Sequence, residues 1–222
     1  PWVVDGLLEI DDSCKVFADY AKTLWDNGGV THNGQWTDAW IPAGKDGSCM
    51  GYFVSTWGFG ENAFFGQASS DSYGKWAVCE GPDKYFWGGT WICAAVGTDN
   101  ADLVKDIMLK MTTDDDIMKD IVVKDDDFVN NSTVMDGLAD GTIMGKDDKP
   151  YTSTILGGQN PLPMYIAGVK TLDLSNLSAY DQGCNEEFQK AMKDYFEGNC
   201  DKDTAIETFK KAVIEKYPDL AE

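Results

Sequence analysis

The sequence predicts an α/β fold, with a mixed sheet flanked by helices. Three observations predict it. Short apolar runs bounded by glycine and proline turns fill the first hundred residues, and such runs suit buried strands. From residue 98 onward, apolar residues recur at helical spacing. All eight tryptophans lie before residue 92, so the strand-bearing first part and the helical second part differ in kind.

Taken in order, the first helix covers about residues 12 to 26. Its stripe is Phe17, Tyr20, Ala21, Leu24 and Trp25, and "DNGG" stops it. "THNGQWTDAWIPAGKDGS" reads as loop with one short helix. "CMGYFVSTW", "KWAVCE" and "TWICAAV" read as three strands, and "GFGENAFFGQ" between the first two as a turn entering a short helix. Leu103, Val104, Ile107, Met108 and Met111 then form one helical stripe. Thr113 with Asp116 reads as the cap of the next helix, which carries Ile117, Ile121 and Val122. A short helix follows over about 126 to 138, and "DGTIMGKDDKPYTSTILGGQNPLP" reads as a connector. Three helices close the chain. One spans about 162 to 172 and one carries Phe188, Ala191, Met192, Tyr195 and Phe196. The last opens on a capping box from Thr204 to Glu207, with Ile206, Phe209, Val213 and Tyr217 as its stripe.

The bulk numbers narrow the function. With 222 residues, 43% hydrophobic and 25% charged, the chain can build a real core. No apolar run approaches the length that spans a bilayer, and the first residues do not read as a signal peptide. The opening "PWVVDGLLEI" has no initiator methionine and reads as a processed or excised segment of something longer. Net charge is −20, and all 18 basic residues are lysine. Nucleic acid is therefore a poor partner, because neutralising phosphates needs a basic surface. Without arginine, planar bidentate capture of a carboxylate or phosphate is also missing. A neutral, hydroxyl-rich ligand fits this chain better than an anion does, although acidity also serves solubility alone.

Six cysteines stand at 14, 49, 79, 93, 184 and 200, with no C-x-x-C pair, and His32 is the one histidine. These spacings do not make a zinc site. Cys184 and Cys200 flank one predicted helix and would lie roughly 24 Å apart, beyond disulfide reach. Cys79 and Cys93 fall on two predicted strands that place them within facing range, and free buried thiols are expected for most of the six.

Several chemistries compete for the remaining signals. Gly58, Gly60 and Ala63 in "GFGENA", with Glu80 farther on, imitate a dinucleotide fingerprint, but a turn with tightly packed glycines explains them better. No segment fits the calcium-loop pattern. Glu61, Glu80 and Asp83 are the nearest carboxylates for a glycosidase, yet no spacing selects a pair. Trp36, Trp40, Trp57, Trp87 and Trp91 all fall at loops or element ends. Indole faces stack on the C–H face of a sugar, and glycine lets a backbone approach a ligand. Any one of these rings taken alone reads rather as core filler. Trp57 together with "FWGGTW" reads as a binding surface.

At these residues the chain resembles a family. "GKDGSCMGYFVSTW", "WAVCEGPDKYFWGGTWICAAVGTDNADLVKDIMLKMT", "LGGQNPLPMYIAGVK" and "YDQGCNEEFQKAMKDYFEGNCDKDTAIETFKKAV" follow one another as in the second half of the extracellular solute-binding proteins of ABC importers, of the maltose-binding-protein-like, carbohydrate-specific kind. The resemblance runs from about residue 9 to 217. It implies a periplasmic-binding-protein-like fold: lobe II in its strand-bearing part over 1–111, helices of lobe I or the hinge over 112–150, and C-terminal helices packing on lobe II over 151–222. Members of the family carry as much chain again in front, with a secretion signal and often a lipid-modified cysteine. The resemblance thus implies an extracellular, envelope-anchored full-length protein, monomeric, with importer membrane subunits as partners and no cofactor. It implies non-catalytic capture of a sugar or oligosaccharide. Trp57 would be a stacking platform, Trp87, Gly88, Gly89 and Trp91 the cleft wall, and Gln159 and Asn160 hinge-side amides for sugar hydroxyls.

Overall fold

The dipeptide Asp5-Gly6 shows how the chain begins. Both residues have positive φ, 52° and 81°. That is the turn chemistry that joins two strands with a two-residue loop. Accordingly β1 (Val3–Val4) pairs antiparallel with β2 (Leu7–Leu8). The hairpin gains a parallel bridge from Leu7 to Ala221, with Leu8 N–H donating to the Ala221 carbonyl at 2.8 Å. The structure is a computed structural model and describes residues 2–58, 60 and 73–221. Eight α-helices are present among them: α1 (Asp12–Asp26), α2 (Ala43–Asp46), α3 (Ala101–Thr113), α4 (Asp115–Asp125), α5 (Ser132–Asp140), α6 (Leu162–Thr171), α7 (Asp181–Phe196) and α8 (Lys202–Lys216).

The chain divides into two compact units, one of Pro1–His32 with Asp173–Glu222, the other of Asn33–Leu172. In the first unit the hairpin, α1, α7 and α8 enclose Leu8, Ala18, Cys184, Phe188, Met192, Phe209 and Val213. Trp2 lies over Phe188 and Phe209, with ring centroids 5.2 and 5.3 Å away, and its indole N–H donates to Asn185 Oδ1 at 2.8 Å. Gly183 on α7 leaves room for Tyr217, whose hydroxyl and ring a β-carbon there would displace. In the second unit α4, α5 and α6 bury Met118, Val122, Val134, Met135, Leu138 and Leu162. A smaller cluster forms around Ile155 and Leu156, with Trp40, Tyr52, Val54 and Trp76 packed on it.

This architecture overturns the expected α/β, periplasmic-binding-protein-like fold with its mixed sheet. Helix accounts for 48%, and among the described residues the only sheet is the two-stranded hairpin. The three runs expected as buried strands, at 49–57, 75–80 and 90–96, form no strand pairing. Tyr52, Val54, Trp76 and Val78 of these runs pack partly buried on the Ile155–Leu156 cluster, while Met50, Phe53, Trp91 and Val96 are exposed. A short apolar run is a strand only when a neighbour supplies its backbone partners, and among the described residues none forms a ladder with these runs. The short helix expected after Gly60, with Glu61 and Ala63, lies outside the described residues.

Helix positions follow the sequence closely, while faces and caps depart from it. α1 buries Ala18, whereas Phe17, Tyr20 and Leu24 of the expected stripe face solvent. On α3, Leu103, Ile107 and Met111 are exposed. The cap of α4 is Asp114, whose carboxylate accepts from the N–H groups of Asp116 and Ile117. The cap of α8 is Asp201, accepting from Thr204 N–H at 2.8 Å. In both cases a better acceptor than threonine stands nearby and takes the orphan donors of the first turn. α5 starts at Ser132, because Asp126 adopts a left-handed conformation (φ 54°) and ends α4 instead.

Candidate functional site

Trp57 sits in a short 3-10 turn, Thr56–Gly58, that Gly58 makes possible. A β-carbon on Gly58 would collide with the Val54 side chain, so tight packing accounts for this glycine. That is the simpler of the two readings of the dinucleotide-like motif. From this turn the Trp57 indole N–H donates to the Trp87 carbonyl at 2.9 Å. The two rings meet edge to face, with centroids 5.3 Å apart and planes at 76°. Trp36 stacks on Trp57 at 5.6 Å and 19°. Trp40 meets the edge of Trp36 at 5.2 Å. Four of the five loop tryptophans thus form one continuous aromatic ridge.

The glycines after Trp87 serve the ridge through conformation. Gly88 and Gly89 have φ of 72° and 137°, which side-chain-bearing residues rarely adopt. A β-carbon on Gly88 would rest 3.9 Å from Trp57 Nε1. The loop therefore turns sharply beside the indole whose N–H it binds. Trp36 also has positive φ, 66°. A bulky residue held there is an outlier, and such strain persists only where surrounding contacts enforce it. Trp36 and Trp87 are 50% and 36% exposed, while Trp57 is half-buried between them. Trp91 is 82% exposed and joins no ring pair among the described residues.

The two amides are used differently. Gln159 Oε1 accepts from Val78 N–H, and Gln159 Nε2 donates to the Val78 carbonyl, both at 2.8 Å. The side chain thus takes the place of a missing strand neighbour for Val78. Asn160 Nδ2 donates to the Leu138 carbonyl at 3.1 Å, and its Oδ1 accepts from Leu162 N–H at 3.0 Å. Both amides are engaged by the backbone and hold the fold.

A cavity of about 360 Å³ opens elsewhere in the same unit. Val54, Trp76, Val78, Met164, Tyr165 and Val169 supply apolar wall, while Ser55, Thr56, Glu80, Asp83 and Lys84 supply polar groups. Lys84 Nζ lies 3.5 Å from Glu80 Oε2. Asp83 Oδ1 accepts from Lys84 N–H at 2.7 Å. Burial pushes the Tyr85 hydroxyl above its ordinary range, so it stays a neutral donor. None of Trp57, Trp87, Trp91, Gln159 or Asn160 lines this cavity. Sequence reasoning missed it because its walls come from residues near 50, near 80 and from α6, which only folding brings together.

Behind α6, Asp126 accepts from the Tyr151 hydroxyl at 2.6 Å and from Ser153 Oγ at 3.0 Å. Burial first, and Asp126 next, push the Tyr151 hydroxyl far up. This node fastens the 151–156 segment to the end of α4. All six cysteines are free thiols. Cys184 is buried, and that burial raises it to about 11, which makes it an inert core residue. Cys79 and Cys93 are exposed, without the strands expected to carry them. No group of three or more metal-ligating side chains occurs among the described residues. No family model, curated protein or solved structure matches the chain.

Proposed function

We propose that this chain captures a sugar or oligosaccharide without catalysing its conversion, and delivers it outside the cell to an ABC importer. The observation that carries the reading is the ridge of Trp36, Trp57 and Trp87 built over the Gly88-Gly89 turn. Trp57 spends its N–H on Trp87, so it locks the ridge, and Trp36 and Trp87 present the exposed faces. Exposed indole faces beside a bare main-chain turn suit the C–H face and hydroxyls of a pyranose. The acidic, arginine-free composition favours an uncharged ligand over an anionic one. Delivery to an importer, and envelope anchoring, rest on the order of sequence segments described above. Closure between two sheet-bearing lobes forms no part of the proposal.

Calorimetry against a panel of neutral oligosaccharides tests it. We expect binding by at least one glycan, with no product released. Trp57→Ala should weaken that binding by ~1 to 3 kcal/mol, the scale of losing a packed aromatic anchor. Unchanged affinity in that variant, or a panel without any binding, overturns the reading. Because Glu80 and Asp83 both border the cavity, release of reducing sugar that disappears in Glu80→Gln would identify a glycosidase instead.

A further inference from the structure

The cavity beside α6 carries a second inference, independent of the sugar reading. We propose that it is a binding site for a small cationic amphiphile, an aryl- or alkylammonium compound with its apolar body inside and its charged head at the rim. Three features point to that class. First, the volume of about 360 Å³ is in the range of ordinary small-molecule sites. Second, its lining is mostly the wrong chemistry for a sugar. Val54, Val78, Met164, Val169 and Leu172 offer no hydrogen bonds, so beside Ser55, Thr56 and the tyrosine hydroxyls a polyol would recover only part of the hydration it loses.

Third, the rim has the sign for a cation. Glu80 and Asp83 set two carboxylates against the single ammonium of Lys84. At 3.5 Å the Lys84–Glu80 pair is long, and Asp83 is turned onto a backbone N–H. The polar edge thus keeps a net negative charge. Tyr52, Trp76, Tyr85 and Tyr165 add aromatic surface to the same walls. Aromatic faces and carboxylates together are how a desolvated ammonium is held. An anionic amphiphile of equal size would meet like charge at the rim and gain nothing from the rings.

The test uses benzyltrimethylammonium as probe, with phenylacetate as an anion of similar size and tetramethylammonium as the head without the body. Binding is followed by calorimetry at a salt concentration that screens the acidic surface. We expect benzyltrimethylammonium to bind at least tenfold more tightly than either comparator. Gly168 gives the decisive variant. A β-carbon there would lie 3.7 Å from Lys84 Cδ, in ordinary contact and directed at the cavity wall. Gly168→Leu should fill the space and lower probe affinity at least tenfold, with the melting temperature kept. If that variant does not fold, Val169→Trp, from an exposed position on α6 that also lines the cavity, serves the same purpose. Asp83→Asn should narrow the preference for the cation severalfold. Trp57→Ala should leave probe binding unchanged, which separates this site from the aromatic ridge. Equal binding of the three probes, or full binding in the cavity-filling variant, overturns the proposal, since either means attraction to acidic surface alone. Absence of binding overturns it as well.

Discussion

Asp127 is a carboxylate whose charge burial disfavours. It lies between α4 and α5, where burial raises its carboxyl above the ordinary aspartate range and Asp125 adds to the rise. Its bond from Phe128 N–H, 2.7 Å, works in the opposite direction and does not cancel the burial. The phenols of Tyr151 and Tyr165 stand near it and are themselves pushed up by burial, so no cation relieves the site from that side. A group raised on folding contributes stability that is complete below its unfolded value and is lost as pH climbs through the folded one. Asp127→Asn cannot ionise, yet its side-chain oxygen can still accept from Phe128. The variant should therefore melt above the parent at pH 7, and the gap should close as pH falls towards 3. The carboxylates of Asp11 and Asp201, which cap helices, and of Asp140 and Asp173, which close turns onto Thr142 and Ser175, shift downward instead. They lose their stabilising effect in acid, but equally in both proteins, so they cancel from the difference. A gap that persists undiminished at pH 3 would show that Asp127 acts through packing and not through charge.

Among the elements, those with local causes were legible and those with distant causes were not. A helix closes its own hydrogen bonds, so the apolar spacing and stop signals of α1, α6, α7 and α8 sufficed to place them. Which face turns inward depends on what arrives to cover it, and so Phe17 and Leu103 were misread while Phe209 and Val213 were not. Strands need backbone partners from elsewhere, and at Val78 a glutamine side chain takes that place. The site divides the same way. Trp57 and its neighbours Trp87 and Gly88 were legible as a group, whereas the left-handed Trp36 and the cavity against α6 arise only from the folded arrangement. Gln159 was legible as important but not in its role. Gln159→Leu removes both bonds to Val78 in a half-exposed stretch that water can reach, so the stability cost should be about 1 kcal/mol. The sharper reading is local. Hydrogen exchange of the Val78 amide should accelerate strongly in the variant, while amides in α7 and α8 stay as protected as before. Unaltered exchange at Val78 would mean that the glutamine clamp is not what orders this segment.

Across the whole molecule, charge is the dominant unrelieved term. The lysines pair chiefly with carboxylates one helical turn away at the surface, as in Lys22 with Asp26, Lys110 with Asp106 and Lys124 with Asp120. Exposed pairs of this kind are each worth a few tenths of a kcal/mol. They leave the net −20 to repel itself in the folded state, where the charges are closest together. Raising sodium chloride from about 10 mM to about 100 mM shortens the screening length from about 30 Å to about 10 Å. That change weakens the summed repulsion between distant carboxylates more than it weakens contacts at hydrogen-bond range. The melting temperature should therefore rise with salt over this interval. A fall would mean that the ion pairs outweigh the excess charge, against their exposure and their number. The same titration separates the two ligand classes. Affinity for a neutral glycan on the indole ridge should hardly move, because no charge is neutralised there. Affinity for an ammonium at the Glu80–Asp83 rim should weaken as salt rises, since part of it is attraction to the field that the salt screens.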